Sequence, residues 1–404
     1  MPTETLFERI TDYANRADPY PLYAELREHG VARQQDGSYL VGTYDEVVQL
    51  FHDPRISSDL RNRAEPDEAV LAEVHGMAPT FIGLDDPRHE RLRGIAMRPF
   101  GPPHTPGRID ALRGDITRIV QDLTDAFEGR ERVDVVDDFA YPLPVTVIGK
   151  LLGIPAGDMG QLREWTDDMI TSLDFTQGED PAVKRRRGQD ARTAMAVYFG
   201  DLADFRREHP SDDLLSSFVG DPGPDGTFTR QELMSTAVLL LIAGHETTVN
   251  LITNGALTLL RRPDVAARLR DDPALMPSAV EELLRYEPPV HFLPQRTPLA
   301  DIEVAGVTIP KGAPLILVLA SANRDPLRFA DPDRFDPARR DNQHLGFGSG
   351  IHSCFGAPLA RLEANLALTA LLDRLGDGTH LVEDPPPYRT SPLLRGPRHL
   401  WIEP

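Results

Sequence analysis

The sequence predicts a mainly α-helical fold with a small β component. Three observations carry that prediction. Most segments space apolar residues at three and four, strand-like alternation is confined to a few short runs, and Thr229 to Arg262 contains no proline and has good helix formers at both ends.

In chain order, helical spacing is read at PLYAELREHG (21–30), YDEVVQLFHD (44–53), RIDALRGDITRIVQDLTDAF (108–127), VTVIGKLLGI (145–154), DARTAMAVYFGDLADFRREH (190–209) and PDVAARLRDDPALMPSAVEELLRYE (263–287). Strands are read at GSYLVG (37–42), at IEVAGVTIP (302–310), where Ala305-Gly306 divides two alternating runs as in a hairpin, and at LILVLA (315–320). As one helix, Thr229 to Arg262 would run about 50 Å at 1.5 Å per residue, enough to cross a domain. DPLRFADPDRFDPARRD (325–341) mixes proline with charge and keeps no period, which predicts an ordered but irregular meander. With no repeat, low-complexity tract or composition shift, residues 1–404 are read as a single domain.

A net charge of −20, from 43 Lys+Arg and 63 Asp+Glu, disfavours nucleic acid or an anionic membrane as the main partner, so any basic docking surface must be local. The N-terminus lacks the basic, apolar, small-residue order of a signal peptide, and one cysteine cannot form an internal disulfide, so a cytoplasmic protein is expected. The apolar run AVLLLIAG (237–244) is far below the roughly 20 residues that span a bilayer, which predicts no membrane anchor.

The lone cysteine, Cys354, lies in FGSGIHSCFG (347–356), just before a helix that carries Pro358 in its first turn and Leu359, Leu362, Leu366 and Ala370 at helical spacing. A helix N-terminus favours an anion, so a thiolate is expected there, in a tight loop permitted by Gly346, Gly348, Gly350 and Gly356. Four roles compete: an inert core thiol, a zinc ligand with His352 and His344, a nucleophile with His352 as base, and an axial ligand of haem iron. Glycine density argues against the first. A shortage of ligands argues against the second, and adjacent residues rarely face one another as the third requires.

The pattern Phe347-Gly348-x-Gly350-x-His352-x-Cys354-x-Gly356 resembles the haem-binding signature of the cytochrome P450 haem-thiolate monooxygenases. Phe355 departs from it, standing where the family more often has Leu or Ile. AGHETT (243–248), midway along the long proline-free stretch, is similar to the family's distal-helix motif. Oxygen activation consumes two protons, and an adjacent acid and alcohol form a short relay, so the resemblance implies Thr247 and Glu246 as catalytic residues, with Ala243 and Gly244 against the haem. A zinc-protease helix is excluded because position 249 is Val249, not histidine.

Glu282 and Arg285 form an E-x-x-R that is weak alone; in the family it locks with an arginine of the later meander, here Arg334 with Arg339 as runner-up. Cations for the two haem propionates are implied at His89, Arg93, Arg296 and His352. The resemblance runs from DPYPLYAELREHG to GAPLARLEA and is strongest to the soluble bacterial, especially actinobacterial, members that tailor natural products. It implies a triangular helical body with a small β lobe.

Further expectations follow from the resemblance. The cofactor is haem b, the co-substrate is O2, and electrons come from NAD(P)H through a separate ferredoxin and ferredoxin reductase; the protein is expected to be a monomer. Substrate contacts are expected at Phe81, Ile82, Leu240, Val290, His291, Phe292 and Leu393, most of them apolar, with His291 as a polar contact. They imply a medium-sized, largely apolar small-molecule substrate such as a macrolide, terpenoid or steroid, oxidised to an alcohol or epoxide. Arg361, joined by Arg98 or Arg113, is expected to form the ferredoxin surface, and KRRR (184–187) to be a solvated edge. Peroxide-dependent oxidation, phenol coupling and a haem-based sensor remain as alternatives.

Overall fold

The computed structural model describes residues 5–65, 78–101, 105, 107–172, 180–220, 222–376 and 378–404. They form a mainly α-helical protein with short strands, as predicted. The central helix, Arg230–Leu260, runs for 31 residues, about 46 Å at 1.5 Å per residue. It is long and apolar enough to cross a membrane, but 72% of its most apolar window is buried inside the protein, the signature of a core helix.

The chain divides into two compact units: Met1–Ile56, Gly114–Leu143 and Glu246–Pro404 form one, Ser57–Arg113 and Pro144–His245 the other. The first holds most of the β structure. Its strands are β1 (Val31–Arg33), β2 (Tyr39–Val41), β3 (Ile56–Ser57, at the boundary), β4 (Val133–Asp134), β5 (Phe292–Pro298), β6 (Ile302–Val304), β7 (Val307–Ile309), β8 (Leu315–Val318), β9 (His380–Leu381) and β10 (Trp401–Glu403).

The largest sheet has the order β1-β2-β8-β5-β3. β2 runs parallel to β8 with Tyr39 opposite Leu315, and β5 runs antiparallel to β8 with its register shifted between Leu293 and Arg296. Because successive side chains of a strand point to opposite faces, β2 and β8 feed two cores. Leu40, Ile316 and Val318 pack with Tyr23, Leu26 and Phe292. Val41, Leu315 and Leu317 pack with Tyr44, Val47, Phe329 and Leu345. Burying each such aliphatic side chain contributes about 1.5–3 kcal/mol. Leu345 matters most for the site, since the cysteine loop begins beside it.

β6 and β7 form the expected hairpin: Val304 opposes Val307 across Ala305 (φ 47°) and Gly306 (φ 76°), the two positive φ values that a two-residue turn of matching twist requires. The smaller sheet pairs β4 and β9 on either side of β10.

Three predicted elements are shorter than read. The 108–127 helix is two pieces, Arg108–Ala111 and Arg113–Asp125; at the junction Leu112 bonds back to Ile109 and Asp110, and Gly114 follows with poor helix propensity. The 263–287 run is also two, Pro263–Asp271 and Met276–Tyr286, separated where Pro273 has no N–H to continue the ladder. LILVLA is a strand only to Val318, after which Leu319–Ala322 turns helical. KRRR lies on the helix Pro181–Glu208 and is only half a solvated edge. Arg185 and Arg186 are exposed, whereas Lys184 is buried and Arg187 pairs with Asp168 at 3.0 Å.

Candidate active site

The cysteine loop is anchored through two neighbouring carboxylates on the helix Met276–Tyr286. Glu282, fully buried, accepts from Arg285 Nε and Nη2 (both 2.8 Å), from Arg339 Nε (3.1 Å) and from the Asp336 backbone N–H (3.0 Å). Arg285, equally buried, donates its remaining N–H groups to the carbonyls of Asn323, Pro332 and Arg334. The motif, weak alone and read through the resemblance as a lock, is a fully satisfied buried network, the condition under which burying charge is tolerated. The second cation on Glu282 is Arg339, not Arg334. Arg334 is exposed and contributes only its carbonyl oxygen, because the meander turns its side chain outward.

Glu281 was not singled out by the sequence, yet it grips the cysteine loop on both sides. His344 Nε2 lies 3.0 Å from its Oε2, and Arg361 donates to both oxygens at 2.6 and 2.9 Å. Burial pushes the Glu281 carboxyl up, but the hydrogen bonds and charges of Arg361 and His344 outweigh it and hold it at about 2. Arg361 also covers the Phe347 ring, 4.6 Å from its centroid, and its charge interacts with Cys354. Half-exposed, Arg361 thus pairs with Glu281 and covers Phe347 within the protein.

Within the loop, Leu345 is held by its N–H to Asn323 Oδ1 (2.7 Å), and Cys354 N–H donates to the Phe347 carbonyl (2.9 Å). Gly350, at φ 71°, is required twice over: an L side chain is strained there, and a Cβ would stand 2.5 Å from the Phe51 carbonyl oxygen. Gly348 also has positive φ, 67°. His352 closes a 3-10 turn, Gly350–His352, and is half-buried. Gly356 caps the helix Ala357–Arg374, so Cys354 lies two residues before that cap, as expected.

Cys354 is exposed in the chain, which excludes the inert core thiol. A rigid loop that presents one open sulfur beside a helix N-terminus, with Phe347 on the same loop, fits a haem axial ligand.

On the central helix, Ala243 is exposed and Gly244 and Thr247 are half-buried, so the less buried face repeats after four residues. His245 and Glu246 point into the protein, 0% and 1% exposed. Glu246 Oε1 lies 2.9 Å from Arg389 Nε, an ion pair with both side chains largely buried, and Asn250 Nδ2 approaches the same oxygen at 3.5 Å. Arg389 is the second functional candidate that the sequence reading missed. It lies 143 positions from its partner, and no local pattern marks it.

Arg296 is 7% exposed on β5. In the second unit, His89 is buried with Nδ1 2.9 Å from Asp86, and Arg93 follows one turn later, half-buried, on the helix Arg88–Met97.

The substrate-contact candidates separate by environment. Ile82 is 45% exposed, and Val290 and Leu393 are half-buried and held near each other by the Val290–Leu394 bridge and the His291 N–H bond to the Leu393 carbonyl (3.0 Å). Phe81 and Leu240 are buried. Phe292 packs in the core against Phe7 and Tyr23, edge to face. His291 is 1% exposed, and its Nδ1 lies 2.7 Å from the Tyr23 hydroxyl. Burial and the charges of Arg395, Arg16 and Arg324 push its pKa well below the usual histidine range, so the imidazole is neutral and its polar contact is to Tyr23.

Residues 201–401 match the family model for cytochrome P450. The chain is 43% identical over 399 residues to cytochrome P450 monooxygenase PikC of Streptomyces venezuelae, covering 96% of this chain and 91% of that protein. It is 39% identical to the vitamin D(3) 25-hydroxylase of Pseudonocardia autotrophica, covering 94% and 92%. Among solved structures, cytochrome P450 PksS of the Bacillus subtilis bacillaene polyketide synthase superposes with a TM-score of 0.88 at 33% identity, covering 98% of both chains. The fold and the site define a haem-thiolate protein, and the chain belongs to the cytochrome P450 family. It is a P450 monooxygenase with haem b as cofactor, supplied with electrons from NAD(P)H by separate redox partners.

Proposed function

We propose that this monooxygenase inserts one oxygen atom of O2 into a C–H or C=C bond of a medium-sized, largely apolar natural product. The observation that carries this reading is the split of the AGHETT segment into an open face of Ala243, Gly244 and Thr247 and a buried Glu246 paired with Arg389. Haem held through a cysteine thiolate supplies the oxygen activation and the oxidation of carbon. The chain supplies the rest. Cys354 would provide the sulfur ligand, His89, Arg93, Arg296 and His352 are the cations assigned to the propionates, and Phe347, Gly348 and Gly356 shape the cysteine loop. Thr247 moves protons at its Oγ1, and Glu246 resupplies them.

Ile82, Val290 and Leu393 are the contacts favoured by their partial exposure, whereas Phe81, Leu240, His291 and Phe292 are buried. A polycyclic or macrocyclic substrate is favoured by this apolar set and by relatives whose names include vitamin D(3) and a polyketide. We assign the redox partners as a ferredoxin and its reductase, the location as the cytoplasm, the working form as a monomer and the whole chain, 1–404, as one P450 domain.

The test begins with the reduced, carbon monoxide-treated holoprotein and its Cys354→Ala variant. The strongly red-shifted Soret band of thiolate ligation, lost in the variant, is expected; absence of that band in the parent protein overturns the assignment of Cys354. A substrate panel read by Soret shift then tests the class. Equal responses to short fatty acids and bulky polycycles would remove the preference for large apolar substrates.

A further inference from the structure

A cavity of about 590 Å³ lies wholly within the first unit and is lined by none of the residues assigned to haem or substrate. Its walls combine tyrosine rings with guanidinium groups. Arg324 is sandwiched between Tyr20 and Tyr286, 3.4 and 3.7 Å from their ring centroids, and Arg262 stands 5.0 Å from the Tyr286 centroid. Leu257, Pro21 and Tyr388 add apolar surface. Such stacking fixes flat cations without using all of their N–H donors.

The charges do not balance arginine by arginine. Arg324 is matched by Glu287 (3.2 Å) and Asp333 (3.1 Å), and Arg261 by Asp384. Glu287 is itself shared with Arg395 and with the Tyr20 hydroxyl at 3.0 Å. Arg27 and Arg262 have no carboxylate partner among the described residues. Arg262 bonds only the Thr258 carbonyl (3.2 Å) and the Tyr286 hydroxyl (2.8 Å). Arg27 bonds only the carbonyl and hydroxyl of Ser321, at 3.1 and 3.3 Å, and its buried Nε has no hydrogen-bond partner. The charges of Asp325 and Asp333 reach Arg27 only from beyond ion-pair distance. An incompletely solvated guanidinium without a directly bonded carboxylate is costly, and an anion placed beside it recovers that cost. The four lining arginines, Arg27, Arg261, Arg262 and Arg324, outnumber the lining acids Asp18, Glu287 and Asp333, a local positive excess on a chain of net charge −20.

We infer that this cavity is an accessory binding site for an organic anion with a flat apolar body, its carboxylate, sulfonate or phosphate taken by Arg27 and Arg262 and its body laid against Pro21, Leu257 and the open side of Tyr20. The volume lies within the roughly 300–1,000 Å³ of small-molecule sites. The site is independent of the haem assignment, since it uses no residue of that centre.

The test is calorimetric titration of the holoprotein with 1-anilinonaphthalene-8-sulfonate as probe, the Soret band being recorded in parallel. One saturable site is expected, weakened by added NaCl and by inorganic phosphate, with the Soret band unmoved. The uncharged analogue N-phenyl-1-naphthylamine should bind at least roughly tenfold more weakly, about 1.4 kcal/mol. Arg27→Gln and Arg262→Gln should each lose a similar factor, Arg27→Lys should retain most of the affinity, and Arg185→Gln, on an exposed helix surface, should change nothing. Melting temperatures of the variants separate loss of the site from loss of the fold. The inference is overturned by absence of saturable binding, by equal affinity for the uncharged analogue, by full affinity in both glutamine variants, or by binding that shifts the Soret band and so reports the haem side.

Discussion

Replacing Glu363 by glutamine is expected to stabilise the protein as pH rises, although the residue contacts no reacting group. Glu363 sits on the helix Ala357–Arg374, 1% exposed, and its Oε2 has no hydrogen-bond partner. Burial alone pushes its carboxyl from 4.5 up to about 8. The folded state therefore keeps a proton that the unfolded state has released between those two values, and stability is lost as pH climbs through that window. At about 1.36 kcal/mol per unit, moving from pH 5 to pH 7.5 removes at most about 3 kcal/mol.

Glutamine has no proton to hold, so the variant should gain that amount relative to the parent across the same interval. Any fixed cost of burying an amide cancels in the comparison. The assay is urea unfolding of both proteins at the two pH values. Parallel pH profiles would refute the reasoning and show that Glu363 is solvated or paired in solution.

Three further outcomes follow from the site. Arg339→Leu should destabilise the protein by roughly 2–4 kcal/mol in chemical denaturation, since it leaves the buried Glu282 with one cation fewer, whereas Arg334→Leu should stay within about 0.5 kcal/mol. Gly350→Ala should lower the haem content of the purified protein, measured by pyridine haemochrome, because its Cβ cannot coexist with the Phe51 carbonyl; normal haem content would show that the loop can shift. Arg389→Ala should slow turnover roughly tenfold and raise the solvent isotope effect, with Arg389→Lys partly restoring both; an unchanged isotope effect would remove Arg389 from the proton supply.

What the sequence made legible was local. The Ala305-Gly306 turn, the central helix and the cysteine loop are each set by residues within a few positions of one another, and spacing reports them well. Arg339 was ranked behind Arg334 because a segment without a period offers no rule for which side chain turns inward. Glu281 and Arg389 escaped for a different reason: each acquires its role from a partner 63 to 143 positions away, brought near only by the fold. His291 and Phe292 were read from the positions that flank a pocket, but the pleat of β5 and β8 turns them into the Tyr23 core.

The adjacent carboxylates of Glu281 and Glu282 also bear on how this enzyme can be altered. One rivets the cysteine loop and the other the meander, and both riveting sets lie on segments separate from Ile82, Val290 and Leu393. Diversification confined to those three proposed contact positions therefore leaves the residues of both riveting sets unaltered.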